Sequence, residues 1–164
     1  MRALRRAPQR GIVGPMPVRQ LLSALALALT SAACNGPFGL LPGGELSGEP
    51  APTPSDWRFA GSAGTAQLET RAAEAYSVNL GYTVVEGSLY INAGNTETNW
   101  VKNISGNAEV RLRVDGRVYE SRAVRVTEPA EIDAFSEAWT GQSFFRRDPR
   151  ELDGEVWIYR IAAR

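Results

Sequence analysis

The sequence predicts an α+β fold: six short, mostly antiparallel strands closing into a barrel, with two helices at its ends. Three observations predict it. Asp115-Gly116 sits between runs that alternate apolar and charged residues. A two-residue type I′ turn needs positive φ at both positions, which these two residues tolerate, so the flanking runs fold back as a hairpin. The other apolar runs after residue 66 are short and alternating as well, with turn residues between them. Residues 127–140, TEPAEIDAFSEAWT, carry the opposite signature: Pro129 in a first turn, acids in the N-terminal half, Ile132, Phe135 and Trp139 at i, i+3 and i+7, and Gly141 to end the helix.

Taken in order, residues 1–33 are an address. Five arginines and no acid precede LLSALALALT, an apolar run of ten that is too short to span a bilayer as a mature helix and reads as the core of a signal peptide. Residues 34–56 are dense in proline and glycine and cannot bury enough apolar surface to offset their ordering entropy, so composition reads them as a tether. Residues 57–164 are long enough for one domain with one core.

In that domain, residues 66–70 alternate as a first strand, 76–85 form a longer second one, and Glu86-Gly87 turns it into a third over 88–93. Gly81 marks a bend or a close backbone approach in the second strand. A helix follows over residues 97–105, with Thr96 as its N-cap and Trp100, Val101 and Ile104 on one side. The Asp115-Gly116 turn sets the hairpin register: Val114 faces Arg117, Leu112 faces Tyr119 and Val110 faces Ser121. Val110, Leu112, Val114, Tyr119 and Ala123 then share one face, and Arg111, Arg113, Val118, Glu120 and Arg122 the other. Val124 and Val126 break this phase, which predicts a bulge near Ala123. The helix over 127–140, a charged loop over 144–152 and a last strand over 155–162 complete the order β-β-β-α-β-β-α-β.

Composition excludes several chemistries. The chain has no histidine, which removes Ser-His-Asp and Cys-His catalysis and most zinc sites, so no catalytic residue and no metal ligand is assigned. After Cys34, thirteen basic residues face eighteen acids, a net charge of −5, which argues against nucleic acid and against an anionic lipid surface as partners, since both require a basic face. Any redox chemistry must come from a bound cofactor.

Ser31-Ala32-Ala33-Cys34 resembles the lipobox of bacterial lipoproteins, in which the cysteine is acylated and becomes the new N-terminus. Ser31 stands where that family usually has leucine, with Leu29 two residues further back, so cleavage at an Ala-x-Ala-like site by ordinary signal peptidase is the alternative. The resemblance implies a lipid-anchored protein on the periplasmic face of the cell envelope. Asn35, after the cysteine, resembles a signal for the outer membrane.

Trp100-Val101-Lys102-Asn103, then AEVRLRVDGRVYESRAVRV and a helix opening with Thr-Glu-Pro, resembles the FMN-binding split-barrel superfamily of pyridoxamine phosphate oxidase-like and deazaflavin-dependent reductase-like proteins. The resemblance implies a six-stranded split β-barrel, a homodimer, and FMN or a deazaflavin at the subunit interface. Carried onto this chain, it implies cofactor contacts from Arg71, Ser77, Asn95, Asn99, Trp100 and Lys102, with Asn92 near the ring and backbone amides of 97–99 near the phosphate; the alternative is that Trp100 is core, Lys102 solvated and the asparagines turn residues. Glu74 departs from the pattern, since a carboxylate repels a phosphate. Two readings stay open: a tethered split-barrel oxidoreductase that transfers hydride, and a ligand-binding or structural envelope lipoprotein that keeps the barrel without the cofactor.

Overall fold

The structure, a computed structural model, describes residues 36–71, 74–152 and 154–164, with the backbone alone at Arg71. The signal peptide expected over residues 1–33 and the expected lipidation site Cys34 lie outside the described residues. The elements are β1 (Glu49–Ala51), β2 (Ala63–Arg71), β3 (Ala75–Val85), β4 (Ser88–Ala93), α1 (Asn99–Gly106), β5 (Glu109–Val114), β6 (Arg117–Arg125), α2 (Pro129–Thr140) and β7 (Trp157–Ala163).

Local chemistry places the turns. Asp115 and Gly116 take φ of 49° and 80°, and Glu86-Gly87 takes 49° and 83°, so both hairpins use two left-handed residues. The β5–β6 register follows the turn: Val114 pairs with Arg117, Leu112 with Tyr119 and Val110 with Ser121. Helix α1 starts two residues later than its apolar spacing predicts. The Asn95 carboxamide oxygen accepts the Glu97 N–H at 2.8 Å, and the Thr98 hydroxyl donates to Asn95 O at 3.2 Å, so residues 95–98 are spent on a turn and Thr98, not Thr96, precedes the helix.

The strands run β1-β6-β5-β2-β3-β4-β7, and β6 also pairs with β7. Six of them therefore close an antiparallel barrel, with β1 as an extra strand parallel to β6. Closure depends on β6 being paired along both edges, by β5 on one and by β7 on the other. β5 pairs with it from Val114–Arg117 to Glu109–Arg122, and β7 from Ser121–Ala163 to Arg125–Tyr159, so Ser121 and Arg122 have partners on both sides. The β6–β7 ladder runs without interruption through Ala123, so the expected bulge is corrected: the phase breaks because Val124 and Val126 face away from the barrel. Val126 joins Tyr90, Phe135 and Ile158 in a second core between the sheet and α2, which the alternating pattern of β6 alone does not reveal.

Inside the barrel, Leu68, Leu89, Ile91, Val110, Leu112 and Val114 pack with Trp100, Val101 and Ile104 of α1. The close approach assigned to Gly81 lies instead on its neighbour strand. A Cβ at Gly81 meets only Gly64 O, at 3.9 Å, whereas one at Gly64 would stand 2.5 Å from the Tyr82 hydroxyl.

The largest departure concerns the proline- and glycine-rich segment. It forms a strap across the outside of the barrel. Gly43 exchanges backbone hydrogen bonds with Ser77, both at 2.8 Å, Leu46 is buried, and Glu49–Ala51 pairs with Arg117–Tyr119. Thr53 donates to Glu120 O at 2.7 Å, and Trp57 ends the strap inside the barrel, edge-on to Tyr119 at 4.9 Å. At the middle of the strap the Glu69 carboxylate, on the outer face of β2 and fully buried, accepts the Leu46 N–H at 2.7 Å and the Arg111 guanidinium at 2.9 Å. Arg111 also donates to Leu46 O at 2.9 Å, so strap and sheet share one ionic clamp.

Two outcomes follow. Removing one partner of a buried pair strands the other charge, so Glu69→Ala should lower unfolding free energy by about 3 kcal/mol or more. Urea denaturation of Glu69→Ala, Arg111→Ala and the double variant checks this, with a loss in the double variant smaller than the sum. In the second core, the Tyr90 hydroxyl donates to Glu131 Oε1 at 2.9 Å, and burial, followed by that carboxylate, pushes its pKa from 10.0 to about 12. The folded state therefore holds the phenolic proton more tightly than the unfolded chain. Stability from this group is fully present below pH 10 and is lost as pH rises to about 12. The decline in urea midpoint over that window should be shallower in Tyr90→Phe.

Candidate functional site

The edge of β6 that faces β5 runs on past the start of β5, which leaves a gap. The Ala123 N–H donates to Ala108 O at 2.8 Å, just before β5 begins, and beyond that point β5 and β6 are no longer paired. Helix α1 ends beside the gap, and β7 enters it from the other side with Trp157 and Tyr159. The result is a cleft of about 580 Å³, open to solvent, with Ile104, Ala108, Ala123 and Val124 forming apolar wall. A volume of that size suits a small organic ligand.

The polar groups of the cleft are cationic or neutral. The Arg125 guanidinium lies 4.3 Å from the Trp157 ring centroid and 5.9 Å from that of Tyr159. Burial draws the Arg125 pKa below the usual arginine value, and Tyr159 opposes this, so Arg125 keeps its charge. Burial raises the Tyr159 phenol and Arg125 lowers it, with burial the larger effect, so the hydroxyl stays neutral at physiological pH. Arg122 is exposed at the rim, and Ser105 and Thr127 add hydroxyls. Two guanidiniums, two aromatic rings and an apolar wall can hold a ligand that has an apolar or planar body and an anionic group.

The residues expected from the sequence do not assemble into one site. Asn95, Asn99 and Lys102 are exposed around the start of α1, where Lys102 Nζ lies 3.0 Å from Glu97 Oε2. Trp100 is only 6% exposed and packs edge-on to Tyr159 at 5.8 Å inside the barrel. Asn92 lines a separate recess beside Trp139 and Arg146. Arg71 ends β2, and its side chain lies outside the described residues. Ser77 is fully buried beneath the strap and donates to Gly44 O at 2.7 Å.

This arrangement tests the cofactor that the resemblance implies. Ser77 is the register partner of Glu69 on the adjacent strand, and their side chains share the outer face. A phosphate at Ser77 would displace strap backbone and approach a buried carboxylate, so these residues do not fit a cofactor phosphate at that position. Among the described residues no group of three or more acidic or thiol side chains could hold a metal.

Sequence reasoning missed Arg122, Arg125, Thr127, Trp157 and Tyr159. The local signal was an Arg-x-x-Arg at the end of one strand and a Trp-x-Tyr at the start of another. Nothing in the spacing joins them, since 31 positions separate Arg125 and Trp157 if the intervening residues alone are counted.

No family model and no curated protein matches the sequence. Solved structures do match in shape. A conserved hypothetical protein from Mycobacterium tuberculosis superposes with a TM-score of 0.50 at 19% identity, over 65% of this chain and 76% of that one. A FAD-binding protein from Mesorhizobium loti gives 0.45 at 18% identity, over 60% and 78%. An F420 reductase gives 0.47 at 15% identity, over 68% and 96%. The chain spans about half, 51%, of a further neighbour, a protein of unknown function from Agrobacterium tumefaciens. At these identities the likeness concerns the fold alone, a closed six-stranded antiparallel barrel with one extra strand and two helices.

Proposed function

We propose that this chain is a lipid-anchored protein of the bacterial envelope whose split barrel serves as a binding module for a ligand with an apolar body and an anionic group. The observation that carries the ligand reading is the cleft, where Arg125 lies against Trp157 and Arg122 stands at the rim. In a mature chain of net charge −5, a locally cationic pocket selects anions by the field in the cleft rather than by overall charge. The lipid anchor rests on the Arg-rich leader, the short apolar run and Ser31-Ala32-Ala33-Cys34. The homodimer and an outer-membrane location belong to the same proposal.

A flavin- or deazaflavin-dependent oxidoreductase is the second reading, favoured by the split-barrel fold. Its phosphate would have to be held elsewhere than at Ser77. FMN, a deazaflavin and a long-chain fatty acid are the probes that separate the readings.

In titrations followed by tryptophan fluorescence, the fatty acid should bind, and Arg125→Ala and Arg122→Ala should each weaken it about tenfold, the loss of one charge-assisted contact. Arg122 is exposed and its replacement leaves the core intact, so a fold defect does not explain that loss. Binding that neither variant alters would refute the cleft as the site. Tight FMN or deazaflavin binding with flavin absorbance would favour the second reading. For the anchor, mass analysis of the mature chain should find the acyl mass on Cys34 and find it lost in Cys34→Ala, and a mature chain whose Cys34 thiol is free would refute acylation.

A further inference from the structure

The strap begins with a turn that neither the barrel nor the cleft uses. Phe38 N–H donates to Leu41 O at 3.1 Å, Leu41 N–H donates to Phe38 O at 2.9 Å, and Gly39 takes a φ of 57° to close the turn. Asn79 on β3 holds it from below, its carboxamide donating to Pro37 O at 3.3 Å and Gly39 O at 2.9 Å. The backbone is thus hydrogen-bonded into a fixed shape and tied to the sheet. Its side chains do the reverse of packing: Phe38 is 83% exposed, Leu40 fully exposed and Leu41 67% exposed. An apolar tip held outward on a rigid base is a surface feature that asks for an apolar partner.

Two sequence facts identify that partner. No charged residue occurs between Cys34 and Glu45, so nothing in the turn resists entry into a headgroup layer. Phe38 follows Cys34 by four residues, which reach at most about 14 Å when fully extended. If Cys34 carries the lipid, the turn cannot leave the bilayer surface. We propose that Phe38, Leu40 and Leu41 insert into the outer part of the bilayer beside the acylated cysteine, so that the protein is held by its lipid and by a docked apolar turn. This rests on the reading of Cys34 as the lipid acceptor. The docked turn would fix the orientation of the barrel against the membrane, which acyl chains on a free tether do not.

The test uses the full chain processed in a bacterial host and reconstituted into phosphatidylethanolamine–phosphatidylglycerol vesicles. Leu40→Cys and Glu137→Cys each receive an environment-sensitive thiol dye; Cys34 is the sole native cysteine, and it takes no dye if acylated. Both positions are exposed, so neither substitution disturbs packing. The dye at position 40 should shift to the blue, and its quenching by aqueous iodide should fall about threefold or more, while the dye at 137 stays quenchable. Adding Phe38→Ser and Leu41→Ser should restore quenching at position 40. Acylated, vesicle-bound protein with position 40 fully quenchable would overturn insertion and leave the anchor standing. A native chain that takes dye at Cys34 and does not float with vesicles would overturn the anchor and insertion together.

Discussion

A carboxylate with no access to water organises the outside of this barrel. Glu69 takes the Leu46 N–H and the Arg111 guanidinium, and Arg111 in turn holds Leu46 O and, at 3.2 Å, the exposed Glu45. An ionised group in that position is tolerated only with partners that replace its hydration. The strap supplies them, and its ordering cost is offset partly by those bonds and partly by burying Leu46, worth roughly 2 kcal/mol. The Gly43–Ser77 bonds, the β1–β6 pairing and the Thr53 and Asn79 bonds hold the rest of the segment on the sheet. Held so, the strap covers Val118 and Ser77 and leads Trp57 into the barrel.

The same covering decides where a ligand can go. The outer face of β2 and β3 is taken by the strap, and the interior is filled by Trp57, Trp100, Tyr119 and their neighbours. One cleft that stays open lies where the end of β6 runs past the start of β5. A closed antiparallel barrel has no free edges, yet β6 outruns β5 past Ala123, and that unpaired stretch of its edge leaves a gap. Here the gap is bounded by the end of a helix and the start of the last strand. Its charge comes from two arginines on β6 that, in an ordinary hairpin, would only be solvated.

Much of the fold was legible in short-range pattern. The Asp115-Gly116 turn and the alternation around it specify register, because a slip of one residue would turn Val110, Leu112 and Val114 to solvent. The helix at 129–140 and the third strand follow from periodicity in the same way. The site was not legible, and neither was the strap. Ser77 and Lys102 carry the chemistry of a phosphate site, but each is satisfied by a nearer partner, Gly44 and Glu97. Glu69 reads as an outward-facing strand residue and gives no sign that residues near 46 will cover it.

The sequence by itself determined the order and type of the main elements, the register of the Asp115-Gly116 hairpin, and the exclusion of histidine-dependent chemistry. These depend on local spacing and on residue chemistry, which are present in any window of the chain. Only the tertiary structure decided that a proline- and glycine-rich segment is a strap, that Val126 belongs to a second core, and that Arg125 lies against Trp157. Each of those depends on closure of the barrel, which brings together residues whose separation along the chain carries no local signal.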